Sequence, residues 1–272
     1  MQYIIGTGWW CCKGKQSWKI TLGDDFIRSK EFHQLWYYAV DKYTNPEKIC
    51  IVDSASPIIP DLNQDDSRIE WISLNKNYNN FISSYQKLFD HTGWMKGVLL
   101  SAMYALLCEV DYYLYIEQDC LVRGHGWVEF VIDKLEKEVD KGKPGWMFGD
   151  GRYCRGRHLL QQSLFIVKIT SLWEFISKLT LPCKHLPHLQ SEERFSKSLK
   201  NFSYLPFGYG RFNKVFLVNK PYFYAQHWSL EGLVDWCRIE MEDNLKKNKP
   251  HLNLFLEKII SSFSKNNLKS ST

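Results

Sequence analysis

The chain has 272 residues, 44% of them hydrophobic and 24% charged, with a formal net charge of +5. That length makes one large domain or two small ones, and the balance excludes disorder, collagen and a coiled coil. The charge suits an anionic small ligand and is too small to imply nucleic acid.

Tyr3-Ile4-Ile5 is a short apolar run ending in Gly6-Thr7-Gly8, which predicts a strand feeding a loop. Trp9 and Trp10 follow it and offer rings to a base, with core packing as the alternative. Phe26 to Tyr43 carries Phe32, Leu35, Trp36, Ala39 and Val40 at helical spacing, and Asn45-Pro46 ends the helix. Ile49-Cys50-Ile51-Val52 predicts a second strand, closed by Asp53-Ser54-Ala55-Ser56-Pro57. Arg68 to Leu74 predicts a third, before the polar loop Asn75 to Asn80. A long helix from about Gly93 to Glu109 leads to a fourth strand, Tyr112 to Ile116, and then to Glu117-Gln118-Asp119.

Strand, helix, strand, strand, helix, strand is the alternation of an α/β domain with a mostly parallel sheet. Ligands bind beyond the carboxyl ends of such strands. The residues to watch are therefore Thr7 to Trp10, Asp53 and Ser54, and Glu117 to Asp119.

The second half is less regular. Trp127 to Val139 reads as a helix; Trp146 to Gly149 and Ser163 to Lys168 read as strands around a loop carrying Arg152, Arg155 and Arg157. That loop is either solvated or a clamp on an anionic group. Ser191 to Leu199 reads as a helix and Val215 to Val218 as a short strand. Leu252, Phe255, Leu256, Ile259, Ile260 and Phe263 make one apolar stripe at helical spacing, most simply a docking or dimer surface. Lys246, Lys247 and Lys249 beside it keep a peripheral membrane contact as the alternative. The eight cysteines include no CxxC pair, which argues against a zinc site. With no secretory signal and no span-length apolar run, the expectation is a cytoplasmic protein.

If the strand ending at Ile116 stays extended, Glu117 and Asp119 face the same way and Gln118 the other. Two carboxylates on one face repel unless a cation sits beside them, and hard oxygen ligands suit Mn²⁺ or Mg²⁺. The alternative is a pair of solvated charges entering a turn.

The run Gly93 to Val122, GWMKGVLLSAMYALLCEVDYYLYIEQDCLV, resembles the central motif of the GT-A-fold nucleotide-sugar glycosyltransferases, in which a helix leads into an apolar strand ending in a DxD motif. Ile49 to Pro57 is similar to the family's second strand, which ends in an acidic residue near the nucleobase. Glu117 departs from the family pattern by standing where its first Asp would be. The resemblance implies a Rossmann-like, mostly parallel sheet flanked by helices, with residues 1–122 as the nucleotide-sugar half and 123–272 as a less regular acceptor half of one continuous domain. It implies a metal-dependent transfer of a sugar from a UDP-linked donor to a glycan hydroxyl, with no nucleic-acid partner. Asp119, Glu117 and His227 would serve the metal. Thr7, Gly8, Trp9, Asp53, Ser54, Lys96, Glu117 and Gln118 would line the nucleotide.

An attacking hydroxyl needs a base. Glu192 and Glu193 follow Ser191 at a predicted helix start, where acids are also favoured by the helix dipole. Inverting members of the family carry such a pair, and the resemblance makes Glu193 the base, with Asp150 in the Gly149–Gly151 turn as its rival. His185 and His188 flank Pro187 and read as loop residues. A nucleotidyltransferase is one rival assignment, weakened by the poor arrangement of glycines and lysines in GTGWWCCKGK. A non-catalytic carbohydrate-binding protein on the same fold is the other.

Overall fold

The computed structural model describes residues 1–12, 25–63, 65–77, 93–150, 160–180, 191–208, 210–211 and 220–269, with backbone alone at 191–194, 210–211 and 263–269. The Arg152–Arg157 cluster, His185, His188 and the expected strand Val215 to Val218 lie outside the described residues.

In chain order the strands are β1 (Tyr3–Trp9), β2 (Lys48–Asp53), β3 (Ile69–Ser73), β4 (Tyr112–Ile116), β5 (Leu121–Arg123), β6 (Trp146–Asp150), β7 (Leu160–Lys168), β8 (Ser203–Tyr204), β9 (Gly210–Arg211) and β10 (Phe223–Gln226). The helices are α1 (Lys30–Tyr43), α2 (Gly93–Leu106), α3 (Trp127–Val139), α4 (Ile169–Thr180), α5 (Ser191–Ser198), α6 (Leu230–Lys246) and α7 (Asn253–Lys269). A seven-stranded sheet runs β3-β2-β1-β4-β7-β6-β8, and β5-β10-β9 form a small second sheet. Only β7 runs against its neighbours in the large sheet. This is the expected α/β architecture, a mostly parallel sheet flanked by helices, and the sheet draws strands from both halves of the chain.

Both faces of the sheet are covered, so its central strands are apolar almost throughout. In β4, Leu114 and Ile116 face one core with α1, α3, α6 and α7, while Tyr113 and Tyr115 face the other with α2, α4 and α5. The chain winds outward from β1 through β2 to β3, then returns across α2 to pair β4 on the other side of β1. The strand order thus reverses between β1 and β4. In an open α/β sheet the crevice at such a reversal, beyond the carboxyl ends of the strands, is where ligands bind.

Two expectations are corrected here. Gly6-Thr7-Gly8 is not a loop: it lies inside β1, because helix α2 presses on the strand where side chains are missing. A Cβ at Gly6 would stand 2.4 Å from the Ser101 hydroxyl, and one at Gly97 only 2.8 Å from the Gly8 Cα. Nor does the β4 strand carry on through Asp119. It stops at Ile116, and the Cys120 amide donates to the Glu117 carbonyl at 2.9 Å, closing a tight turn. The period-two alternation therefore does not set where Glu117 and Asp119 point. Helices α4 and α6 and strands β5, β8, β9 and β10 add to the expected elements. The terminal stripe docks on its own chain: Leu256 and Ile259 are buried, and Phe255 stacks on Tyr38 at 5.6 Å. Among the described residues no helix is long and apolar enough to cross a membrane.

Candidate functional site

The turn after β4 sits at the β1/β4 reversal and is held from three sides. Gln118 reaches back so that its Oε1 accepts from the Trp10 amide at 2.6 Å. The Glu117 amide donates to the Ser163 carbonyl of β7 at 2.8 Å, and its carbonyl accepts from the Trp36 indole at 3.1 Å. Asp119 follows with 6% of its surface exposed. One carboxylate oxygen, Oδ1, is buried and has no hydrogen-bond partner among the described residues. The other, Oδ2, lies 3.9 Å from Nε2 of His227.

Strand pairing explains that approach. In the antiparallel β5–β10 pair, Leu121 stands opposite Ala225 and Arg123 opposite Phe223. Continuing that register past the strand ends brings His227 opposite Asp119. His227 is held in the left-handed region, φ 57°, between β10 and α6. Such a conformation costs a non-glycine residue about 1–3 kcal/mol and persists only where the surroundings impose it.

A buried carboxylate oxygen without a donor forfeits roughly 1–3 kcal/mol. A divalent cation satisfies it, and a carboxylate with an imidazole is a ligand pair that first-row ions accept. The donor set therefore fits a divalent ion at Asp119 and His227. No third His, Cys, Asp or Glu among the described residues, Glu117 included, converges on them. The adjacent Cys120 thiol is pushed well above its usual value, first by burial and then by the Asp119 and Glu117 charges, so it stays protonated.

Strands β7 and β10, which lead to these two turns, carry polar side chains that sequence reading passed over. Gln162 Oε1 and Gln226 Oε1 are buried without hydrogen-bond partners among the described residues, as is Gln161 Nε2, whose own Oε1 accepts from the Tyr224 hydroxyl at 3.1 Å. Ser163, the fourth residue of β7, accepts from the Glu117 amide with Gln162 just before it, and Gln226 ends β10 next to His227. The available signal was Gln161-Gln162-Ser163 opening an otherwise apolar strand, a polar run that nothing in a core requires.

The remaining expected site residues divide into two groups. Asp53 ends β2, and its carboxylate accepts from the Ser56 amide and hydroxyl, while Ser54 donates its amide to the Trp9 carbonyl at 2.9 Å. Lys96 stands in the first turn of α2, one residue from the Gly8–Gly97 crossing and so beside the end of β1. Glu193 falls in the first turn of α5, as expected, with its side chain outside the described residues. Phe195 of that helix packs edge-on against Trp94 of α2 at 5.0 Å, so the starts of α2 and α5 share one corner. Asp150 ends β6, on the far side of β7 from β4. Thr7 and Trp9, by contrast, are interior. Thr7 is fully buried, and the Trp9 ring is enclosed edge-on by His33, Trp36 and Trp71 at 4.5, 5.4 and 5.6 Å. Trp9 takes the core-packing alternative, and Thr7 Oγ1 and Trp9 Nε1 are buried without hydrogen-bond partners among the described residues.

No family model matches the chain, and no curated protein sequence does. Among solved structures, it is similar to an active-site mutant of LgtC, with a TM-score of 0.47 and 11% identity over 81% of this chain and 78% of that one. It is also similar to the galactosyltransferase LgtC in complex with donor and acceptor sugar analogues, with a TM-score of 0.46 and 11% identity over 80% and 79%. A third likeness is to the glycosyltransferase GlyE of Streptococcus pneumoniae TIGR4, with a TM-score of 0.39 and 11% identity over 75% of this chain and 45% of that one. Likeness at this level concerns the path of the backbone and not the chemistry of any side chain.

Proposed function

We propose that the chain is a glycosyltransferase that moves a sugar from a nucleoside diphosphate, UDP by preference, to a hydroxyl of a glycan acceptor. The observation that supports this reading is the Asp119 carboxylate, buried and half satisfied, facing the His227 imidazole at the point where the sheet reverses its strand order. Asp119 and His227 would hold a divalent ion, Mn²⁺ or Mg²⁺, which when bound supplies Lewis-acid stabilisation to a departing diphosphate.

The chain's own groups take the other roles. The Asp53–Ser56 turn and Gln118 shape the nucleoside side of the crevice at the ends of β1 and β2. Glu117 lines the same side. Gly8, by letting α2 approach, sets Lys96 where its ammonium can meet the diphosphate. Gln162 and Gln226 offer orphan amide oxygens to sugar hydroxyls, a match that strengthens selectivity because buried acceptors left unpaired are costly. Glu193 takes the proton from the attacking hydroxyl, with Asp150 as the alternative base. A base on the acceptor side fits inversion at the anomeric carbon.

Asp119→Asn tests the reading. With UDP and Mn²⁺ at a hundred times their dissociation constant, the wild type should gain about 2.7 kcal/mol of stability, seen as a rise in melting temperature. The variant should lose that gain while remaining as stable as the unliganded wild type or more so, since a charge leaves a dry site. An equal rise in wild type and variant would overturn the assignment of Asp119.

A further inference from the structure

The chain from Leu245 to His251, where α6 gives way to α7, is exposed throughout. The corner is nevertheless fixed. The Asn244 and Asn253 side chains bond at 3.0 Å, Asn244 also donates to the Tyr38 hydroxyl of α1 at 3.1 Å, and the Lys249 amide donates to the Asn244 carbonyl at 2.8 Å. Leu245 and Leu254 each follow one of the two bonded asparagines, so they leave the same corner. They keep 60% and 59% of their surface exposed. Neither belongs to the stripe of α7 whose Leu256 and Ile259 are buried.

Charge gathers at the same place. From Asn244 to Lys258 the chain carries Lys246, Lys247, Lys249 and Lys258 against Glu257 alone, a net +3 where the whole protein carries +5. All four lysines are exposed, and among the described residues none of them forms an ion pair, whereas Lys141, Lys143 and Lys168 each take a glutamate. Glu242 is exposed one turn before Lys246, and Asp243 is taken by Arg123. The field reaches the turn between β5 and α3. There the His125 ring stands 5.0 Å from Tyr43, and its pKa is held down first by partial burial and then by Lys247, Lys42 and Lys249, against the pull of Glu240.

We infer that this corner is a docking surface for an anionic membrane, on which Leu245 and Leu254 enter the headgroup layer while Lys246, Lys247, Lys249 and Lys258 meet lipid phosphates. Exposed leucines beside lysines suit such a surface, because the lysine stems lie along apolar matter and carry their ammonium groups back to the polar layer. A protein partner is the poorer match, since protein interfaces are depleted in lysine and need a large complementary face. A polyanion in solution would use the lysines and leave both leucines in water. The chain would lie on the bilayer and not cross it. The inference requires no part of the transferase reading.

The test is co-sedimentation of the full chain with sucrose-loaded vesicles, of phosphatidylcholine alone and of phosphatidylcholine with about 30% phosphatidylglycerol. The chain should bind the anionic vesicles and not the neutral ones. Raising the salt from about 0.1 M to about 1 M shortens the screening length from about 10 Å to about 3 Å and should release most of it. Lys246→Gln, Lys247→Gln and Lys249→Gln together should weaken binding roughly a hundredfold, at about a factor of five for each ammonium lost near the surface. Leu245→Ser with Leu254→Ser should weaken it roughly tenfold with the lysines intact. These five side chains are exposed, so both variants should melt with the wild type. Lys137→Gln, Lys197→Gln and Lys200→Gln remove the same charge from exposed positions elsewhere and should leave binding within about twofold. Equal binding to both kinds of vesicle, or to neither, would overturn the inference, as would an equal loss from the two lysine sets. So would a leucine pair without effect, or soluble poly-glutamate bound as tightly as the anionic vesicles, since either result would make the corner a site for acidic polymers or proteins.

Discussion

Acidification from about pH 7.5 to about pH 5 should cost the fold about 2 kcal/mol through one imidazole, His33. It sits on α1 with none of its surface exposed. Its Nδ1 lies 2.7 Å from the Ser29 carbonyl, and its ring meets Trp9 edge-on at 4.5 Å. Burial pushes its pKa from 6.5 down to about 4, against the pull of the Ser29 carbonyl. In the unfolded chain the same ring protonates near its ordinary value. Between about pH 6.5 and pH 4 the unfolded state therefore binds more protons than the native one, and stability falls as pH falls. A gap of this size gives about 2 kcal/mol at pH 5 and about 3 kcal/mol below pH 4, at 1.36 kcal/mol per pKa unit. Carboxylates titrate in the lower part of this window, so the measurement is a difference. Urea unfolding of the wild type and His33→Gln at several pH values should give curves that diverge below about pH 6.5, with the variant flatter. Glutamine keeps a donor for the Ser29 carbonyl and cannot charge. Parallel curves would refute the reasoning, as would an NMR titration of the folded protein with the His33 ring changing charge near 6.5.

Gly97→Ala should destabilise the protein by about 1–3 kcal/mol, because the new Cβ meets backbone and not a yielding side chain. It should also lower the UDP and Mn²⁺ shift, since α2 must lift from β1 and carry Lys96 with it; a variant as stable as wild type would place the helix farther from the strand. Glu240 is fully buried and takes Lys42 at 2.5 Å and the Tyr43 hydroxyl and Arg123 Nε at 2.7 Å. Glu240→Ala leaves two cations facing a void and should cost about 3–5 kcal/mol in urea unfolding; a loss under about 1 kcal/mol would show that the Asp243, Tyr38 and Asn244 contacts suffice for them.

Strand positions were legible where hydrophobic patterning alone decides them. Ile49–Val52 and Tyr112–Ile116 are continuous apolar runs because both faces of the sheet are covered, and each appears within a residue of its expected bounds. Gly6-Thr7-Gly8 misled because glycine in a strand and glycine in a loop look alike until the partner is known. Here the partner is α2, eighty-odd residues on, and only the Gly8–Gly97 contact shows why neither may carry a side chain. Trp9 is a similar case. The position after a strand is a ligand position only if the strand has ended, and β1 runs through it. Helix α6 escaped notice because its apolar face is short and its buried positions include Glu240 and Asn244. No hydrophobic period marks a helix that buries its charges.

Asp119 stands out in the sequence by the apolar strand before it, but alternation does not set its surroundings. Alternation along the strand pairs it with Glu117, but the chain turns at Glu117, and the facing group is His227, more than a hundred residues away. What brings the two together is a register, Leu121 against Ala225, set by three-residue β5 and four-residue β10, strands too short for any pattern to reveal. That register is itself held from behind. Arg123 at the end of β5 donates to Glu240 on α6 and also pairs with Asp243, and α6 begins three residues after His227. The turn carrying Asp119 and the turn carrying His227 are thus closed into one loop of structure, with strand pairing on one side and a buried ion pair on the other. Loosening that pair should show first in the distance between carboxylate and imidazole. A Glu240→Gln chain that still folds is therefore expected to bind Mn²⁺ more weakly than wild type, although residue 240 touches neither side chain.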